Sequence, residues 1–176
     1  MDMTLVQYLN GQFSLLQVLD FFCRLALACV LGALIGIERS KRFKEAGVRT
    51  HIIVCCGAAL FMIVSKYGFA DLSFAGGAYF NGTRGADPAR VAAQVVSGIG
   101  FLGAGTIMVR NNSIITGLTT AAGMWATAAI GIALGYGFYS GALIATVACV
   151  FTAAFLSRME RTRKENTHIY IEIDLS

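Results

Sequence analysis

The segment DPARVAAQVVSGIGFLGAGT, from Asp87 to Thr106, brings an acid, a base, an amide and a hydroxyl to the edge of an apolar stretch. On a helix Asp87, Arg90, Gln94, Ser97 and Phe101 step by three or four, so the polar members form one stripe. Such a stripe can line a route for an ion, or it can hydrogen-bond a neighbouring helix. In either case polar groups facing lipid are unfavourable, so the stripe is expected to face a bundle interior or a wet cavity. Gly98, Gly100, Gly103 and Gly105 follow, with Thr106 behind them. They permit close helix crossing or a break in the helix whose freed backbone groups line a cavity. The literal GxGxxG within them is not a dinucleotide site. That motif needs a soluble βαβ unit and an acid about 20 residues on, and no Asp or Glu occurs between Asp87 and Glu160.

The elements that must position these residues are membrane spans. Of 176 residues, 56% are hydrophobic and 14% charged, against about 25% charged in a soluble domain. No Asp, Glu, Lys or Arg occurs in the 47 residues from Asn111 to Ser157 or the 19 from Val91 to Val109. At 1.5 Å per residue the longer run crosses a core of about 30 Å twice. The pattern excludes a soluble cytosolic enzyme, a disulfide scaffold and a disordered tail. It predicts an all-α polytopic bundle of five transmembrane spans. The first runs over Leu15 to Ile37, with Ser14 as N-cap, and the second over Thr50 to Tyr67. The third starts at Asp87 and Pro88 and runs to about Val109. The fourth and fifth share the long run, with a turn at Gly135, Tyr136 and Gly137.

Ten Lys and Arg residues fall on one side: Arg39, Lys41, Arg42, Lys44, Arg49, Arg110, Arg158, Arg161, Arg163 and Lys164. Lys66, Arg84 and Arg90 fall on the other. The imbalance puts the C-terminus in the cytoplasm and the N-terminus outside, and accounts for the net charge of +4 without nucleic acid. Residues 1–158 then form the transmembrane domain and 159–176 a cytoplasmic tail. Thr167 to Leu175 alternates polar and apolar residues like a strand, and Leu72 to Thr83 reads as an ordered external loop or a shallow re-entrant piece. The N-terminus has no basic region and carries Asp2, so no cleavable signal peptide is expected.

Other candidates lie at span ends. Asp20 and Arg24 are spaced to pair inside the outer leaflet. Glu38 can reach Arg42, or brace span two through Arg49. Arg49, Thr50 and His51 open span two, with His51 read as interfacial rather than as a metal ligand. In span four Thr119, Thr120 and Thr127 can bond to backbone or a neighbour, and the mid-span Trp125 is expected to bury its indole N–H against a partner. Gly32 and Gly36, Gly131 and Gly135, and Gly137 and Gly141 are GxxxG pairs. They predict a tight bundle and a homo-oligomer, a dimer first. Cys23, Cys29, Cys55, Cys56 and Cys149 read as packing residues. No nucleophile, P-loop, paired-carboxylate or cofactor site emerges, so no enzyme is expected, and membrane lipid is the one partner composition dictates.

GALIGIER (Gly32 to Arg39), AGVRTH (Ala46 to His51), DPARVAAQVVSGIGFLGAGTI (Asp87 to Ile107) and GLTTAAGMWATAAIGIALG (Gly117 to Gly135) resemble the MgtC/SapB family of bacterial inner-membrane proteins. The likeness covers roughly Leu25 to Arg158. It implies a multi-pass inner-membrane protein linked to magnesium limitation, acid stress and virulence, which acts on other membrane proteins such as the F-type ATP synthase. It marks Glu38, Arg39, Arg49, Thr50, Asp87, Arg90, Gln94, Ser97, Gly98, Gly103, Thr119 and Thr120 as important. It also implies that the strand at the tail is similar to the beginning of an ACT-like domain, in a chain that is either truncated or a short form. Two readings follow: a non-enzymatic membrane regulator, or a small carrier of magnesium or another cation that uses the stripe of span three.

Overall fold

The computed structural model describes residues 15–42, 44–67, 89–110 and 114–155. Among them are five helices: α1 (Leu15–Lys41), α2 (Val48–Tyr67), α3 (Ala89–Gly105), α4 (Leu118–Tyr136) and α5 (Tyr139–Phe155). By length and composition α1, α2 and α4 can each cross a membrane, while α3 and α5 are shorter apolar helices. The external loop and the tail strand lie outside the described residues, as do Ser14, Asp87 and Pro88.

Small residues set the packing of α1, α2 and α4. A β-carbon at Gly32 of α1 would stand 2.8 Å from the His51 carbonyl oxygen, and one at Gly36 would overlap Val48. Further along α2, side chains at Gly131 and Gly135 of α4 would overlap the carbonyls of Cys55 and Ala59. Both GxxxG pairs therefore seat backbone against α2, as glycine allows within apolar bundles. Ala28, Leu31, Ile35, Cys55, Ala59, Ile130 and Leu134 fill the core between them, joined by Ala142 of α5. The third pair behaves differently. Gly137 ends α4 at φ 100°, where its N–H and that of Phe138 return to the Ala133 carbonyl, a left-handed helix stop that favours glycine. Gly141 meets Phe138 of its own turn.

The connections tie the ends. Arg42 and Lys44 donate backbone N–H groups to the Arg39 carbonyl, and Ser40 Oγ accepts from Val48 N at 3.2 Å, closing the link from α1 to α2. Between α3 and α4 lies an antiparallel hairpin, β1 (Met108–Arg110) with β2 (Ile114–Thr116), in the register Val109 opposite Ile115. The expected span three ran to Val109. Instead the helix stops at Gly105, and the last residues of that stretch form the first strand. Gly117 follows at φ 91°, packed so closely on the Thr106 carbonyl that a side chain would not fit.

The glycine-rich part of α3 contains no break: the helix is continuous through Gly98, Gly100 and Gly103. It is also the least embedded of the three middle helices. Ala92, Ile99 and Gly103 are its buried residues; Ile99 packs with Ala58, Met124 and Ala128, and Gly103 faces Ala121.

Candidate functional site

Two buried arginines on α1 organise the polar chemistry of the bundle. Near the end that faces outside in the charge-based orientation, Arg24 pairs with Asp20 at 2.5 Å and donates to the Gly135 carbonyl at 2.8 Å. Tyr139 of α5 donates to Asp20 at 3.2 Å, and Lys66 of α2 donates to the Tyr136 carbonyl at 3.1 Å. The Tyr67 ring lies under both cations, 5.8 Å from the Arg24 guanidinium carbon and 5.1 Å from Lys66 Nζ. The ion pair read from i, i+4 spacing is thus the centre of a knot joining the ends of α1, α2, α4 and α5.

At the basic end, Arg39 is 5% exposed. Its Nη2 donates to Thr120 Oγ1 of α4 at 2.5 Å, and its Nε has no partner among the described residues. Beside it His51 of α2 is fully buried. Its Nδ1 lies 2.9 Å from the Gly47 carbonyl, which can only accept, so Nδ1 carries the proton and Nε2 presents a lone pair. That lone pair has no partner among the described residues and faces Gly123 on α4, one turn beyond Thr120. Arg39, Thr120 and His51 therefore converge from α1, α4 and α2. Glu38 is taken by Arg42 at 2.5 Å, and Arg42 also donates to the Ala154 carbonyl of α5 at 3.2 Å. Arg49 is exposed and does not brace the helices through Glu38; Thr50 is half-buried.

Several sequence expectations are corrected. His51 is a fully buried core residue, not an interfacial one. Its place near the start of α2 hides the fact that Gly32 and Gly36 draw α1 over that end. Within this chain Trp125 is 53% exposed, on the side of α4 facing a shallow groove with Gly100, Gly103, Ala104 and Ala121. Thr119 is exposed, so of the Thr pair only Thr120 enters the bundle. Thr127 is buried and bonds back to the Gly123 carbonyl at 2.8 Å, as Thr106 does to Gly103.

The described members of the span-three stripe do not enter the interior of this chain's bundle. Arg90, Gln94 and Ser97 are exposed on this chain, and Gln94 borders a groove of about 410 Å³ between α2 and α3. Ile53, Phe61, Val91, Val95 and Leu102 are among the apolar residues that line it. Gly98, Gly100 and Gly105 have open space beside them. No group of three or more His, Cys, Asp or Glu suited to a metal ion occurs among the described residues, and the five cysteines are unpaired thiols.

Apolar helices joined by two buried arginine clusters, with sparse polar groups and glycines on one outer face, define a helical membrane protein. Residues 25–162 match the family model described as MgtC family, and the chain belongs to that family. It is 44% identical over 155 residues to YhiD of Escherichia coli (strain K12), whose name marks it as a candidate magnesium transporter. That alignment covers 88% of this chain and 69% of the relative. Protein MgtC of Salmonella typhimurium (strain LT2) is 43% identical over 127 residues, covering 72% of this chain and 48% of MgtC. An uncharacterised protein of Haemophilus influenzae is 46% identical over 129 residues, 73% of this chain and 52% of its own length. No solved structure matches.

Proposed function

We propose that this chain is a non-enzymatic regulatory protein of the bacterial inner membrane, linked to magnesium limitation, which acts through contacts with other membrane proteins. In this reading all five helices cross the bilayer, with the Arg39 end in the cytoplasm. The segregation of Arg39, Lys41, Arg42, Lys44 and Arg49 away from Arg24 and Lys66 supports that orientation.

The observation that carries the reading is the closed interior. Between the Arg24 and Arg39 clusters the space shared by α1, α2 and α4 is filled by Ala28, Leu31, Ile35, Cys55, Ala59, Ile130 and Leu134, which offer a cation no side-chain oxygen. Magnesium demands near-octahedral oxygen coordination and gives up its water reluctantly. The buried Thr127 hydroxyl is committed to the Gly123 carbonyl, and Gln94 and Ser97 lie on the outside of the bundle. A small cation carrier is the second reading. The groove beside Gln94 and the name of the Escherichia coli relative favour it.

Reconstitution decides between them. Purified protein in proteoliposomes is expected to pass no magnesium, while the same gene restores growth of a deletion strain in low magnesium. Magnesium flux that is lost on Gln94→Ala would replace the regulator with the carrier.

A further inference from the structure

Two positive features meet at the start of α4, and no carboxylate among the described residues answers them. Gly117 precedes the helix at φ 91°, packed so closely on the Thr106 carbonyl that no side chain fits, and the helix has no side-chain cap. The backbone N–H groups of Leu118 and Thr119 make no hydrogen bond among the described residues. Both residues are exposed. Unpaired N–H groups and aligned peptide dipoles give this end of a 19-residue helix a partial positive charge.

The second observation comes from α1. Arg39, 95% of it withdrawn from solvent by the same measure that leaves it 5% exposed, reaches this turn. Its Nη2 donates to Thr120 Oγ1, and its buried Nε has no partner among the described residues. A cation is favoured at the opposite end of a helix, and a buried guanidinium is costly unless it is paired. Neither ion pair among the described residues includes Arg39. The charge of Glu45 reaches Arg39, but that residue is exposed and forms no such pair. His51 presents a neutral lone pair, which accepts a hydrogen bond and balances no charge. Donors and positive charge directed at one turn are the chemistry that recognises an oxyanion.

We propose that the first turn of α4, with Arg39 behind it, binds a phosphate-type oxyanion at the basic end of the bundle. The N–H groups of Leu118 and Thr119 and the Thr119 hydroxyl hold its oxygens, and Arg39 supplies the balancing charge from within. A lipid phosphodiester and free inorganic phosphate present the same oxygens. In the orientation proposed above this turn lies at the cytoplasmic surface of the membrane, where both sources meet it. The bound anion joins α4 to α1 through charge, so the Arg39 cluster is held more firmly when the site is filled. The inference goes beyond the regulatory reading and does not depend on it.

The test uses the full chain in maltoside micelles, with its thermal midpoint compared in sodium phosphate and in sodium chloride at equal ionic strength and pH. Millimolar phosphate is expected to raise the midpoint by about 3 °C or more. Thr119→Asp puts a carboxylate on the turn and should raise the midpoint in chloride while abolishing the response to phosphate. Thr119→Lys should lower the midpoint and abolish the response as well. Thr119 is exposed, so both variants keep the packed interior. Native mass spectrometry from phosphatidylglycerol nanodiscs separates the sources. A lipid retained on the wild type and lost from Thr119→Asp assigns the headgroup, whereas a phosphate response that persists in those nanodiscs with no retained lipid assigns free phosphate. Equal midpoints in phosphate and chloride together with no retained lipid overturn the proposal. So does a response that both variants keep, which marks phosphate as a general stabiliser. Magnesium flux in proteoliposomes leaves this site standing, and loss of this site leaves the regulatory reading standing, so the two fail separately.

Discussion

Arg24 and Arg39 occupy one helix 15 residues apart, about 22 Å along its axis, and both are buried, yet they are held in different ways. Arg24 has a carboxylate, a backbone carbonyl and an aromatic face around it. Arg39 has one threonine hydroxyl and no carboxylate within ion-pair distance among the described residues. Removing charge from water is expensive unless the group is paired. The Arg24 end is therefore held by more bonds, although its Nε, like that of Arg39, has no partner among the described residues. The Arg39 end is held by few bonds, with the unpartnered Nε2 of His51 beside it, and is where a small change in helix position alters the balance of polar contacts.

The largest expected effect comes from cutting the single bond at the sparse end. Thr120→Val leaves a buried guanidinium without its acceptor and should lower stability by about 3 kcal/mol, the upper range for a hydrogen bond to a charged group. Thermal unfolding in detergent micelles or nanodiscs measures it. If Arg39 is held by that hydroxyl, Arg39→Met combined with Thr120→Val should recover most of the loss and fall within about 1 kcal/mol of wild type, since an apolar pair can replace a buried polar one. A double variant as unstable as Thr120→Val alone would break the comparison. At the Arg24 end Asp20→Asn should lose about 1 kcal/mol, because the Asp20 side chain is 40% exposed and solvent screens the pair, and because the Gly135 carbonyl remains. Lys66→Met removes one cation from Tyr67 and Tyr136 and should lose about 0.5 kcal/mol, a shift best read as a change in midpoint against the other variants.

Much of the bundle was legible in the sequence because its signals are local. Charge-free runs marked five apolar helices, Gly135 to Gly137 marked the turn into α5, and Asp20 with Arg24 is an i, i+4 pair. The GxxxG pairs at Gly32 and Gly131 pointed to close packing and have it. The hairpin at Met108–Thr116 was missed because its two strands of three residues sit in sequence that continues the apolar character of the helices beside it. Arg39 and Thr120 were both marked by the family likeness, yet their bond joins residues 81 positions apart, and no local pattern carries that pairing. For α3 the periodicity gave the stripe but not its direction. Which side of a membrane helix faces protein depends on every neighbour it has, and one chain's pattern does not separate its own helices from another's.

The pair at Arg24 also bears on how the protein enters its membrane. Its acceptor at Gly135 lies 111 residues downstream and the hydroxyl of Tyr139 lies 119 residues from Asp20, so neither exists when α1 leaves the ribosome. Asp20 is four residues away on the same helix, and the pair closes as soon as that turn winds. An unpaired arginine at the centre of a span opposes insertion by about 2.5–3.5 kcal/mol; α1 carries its counter-ion with it and can pass sideways into lipid before any later helix is made. Arg39, at the basic end of α1, meets no such demand until α4 arrives with Thr120. The distances along the chain thus set a schedule for assembly: the Arg24 cluster begins within the first helix, and the Arg39 cluster closes only when the fourth is in place.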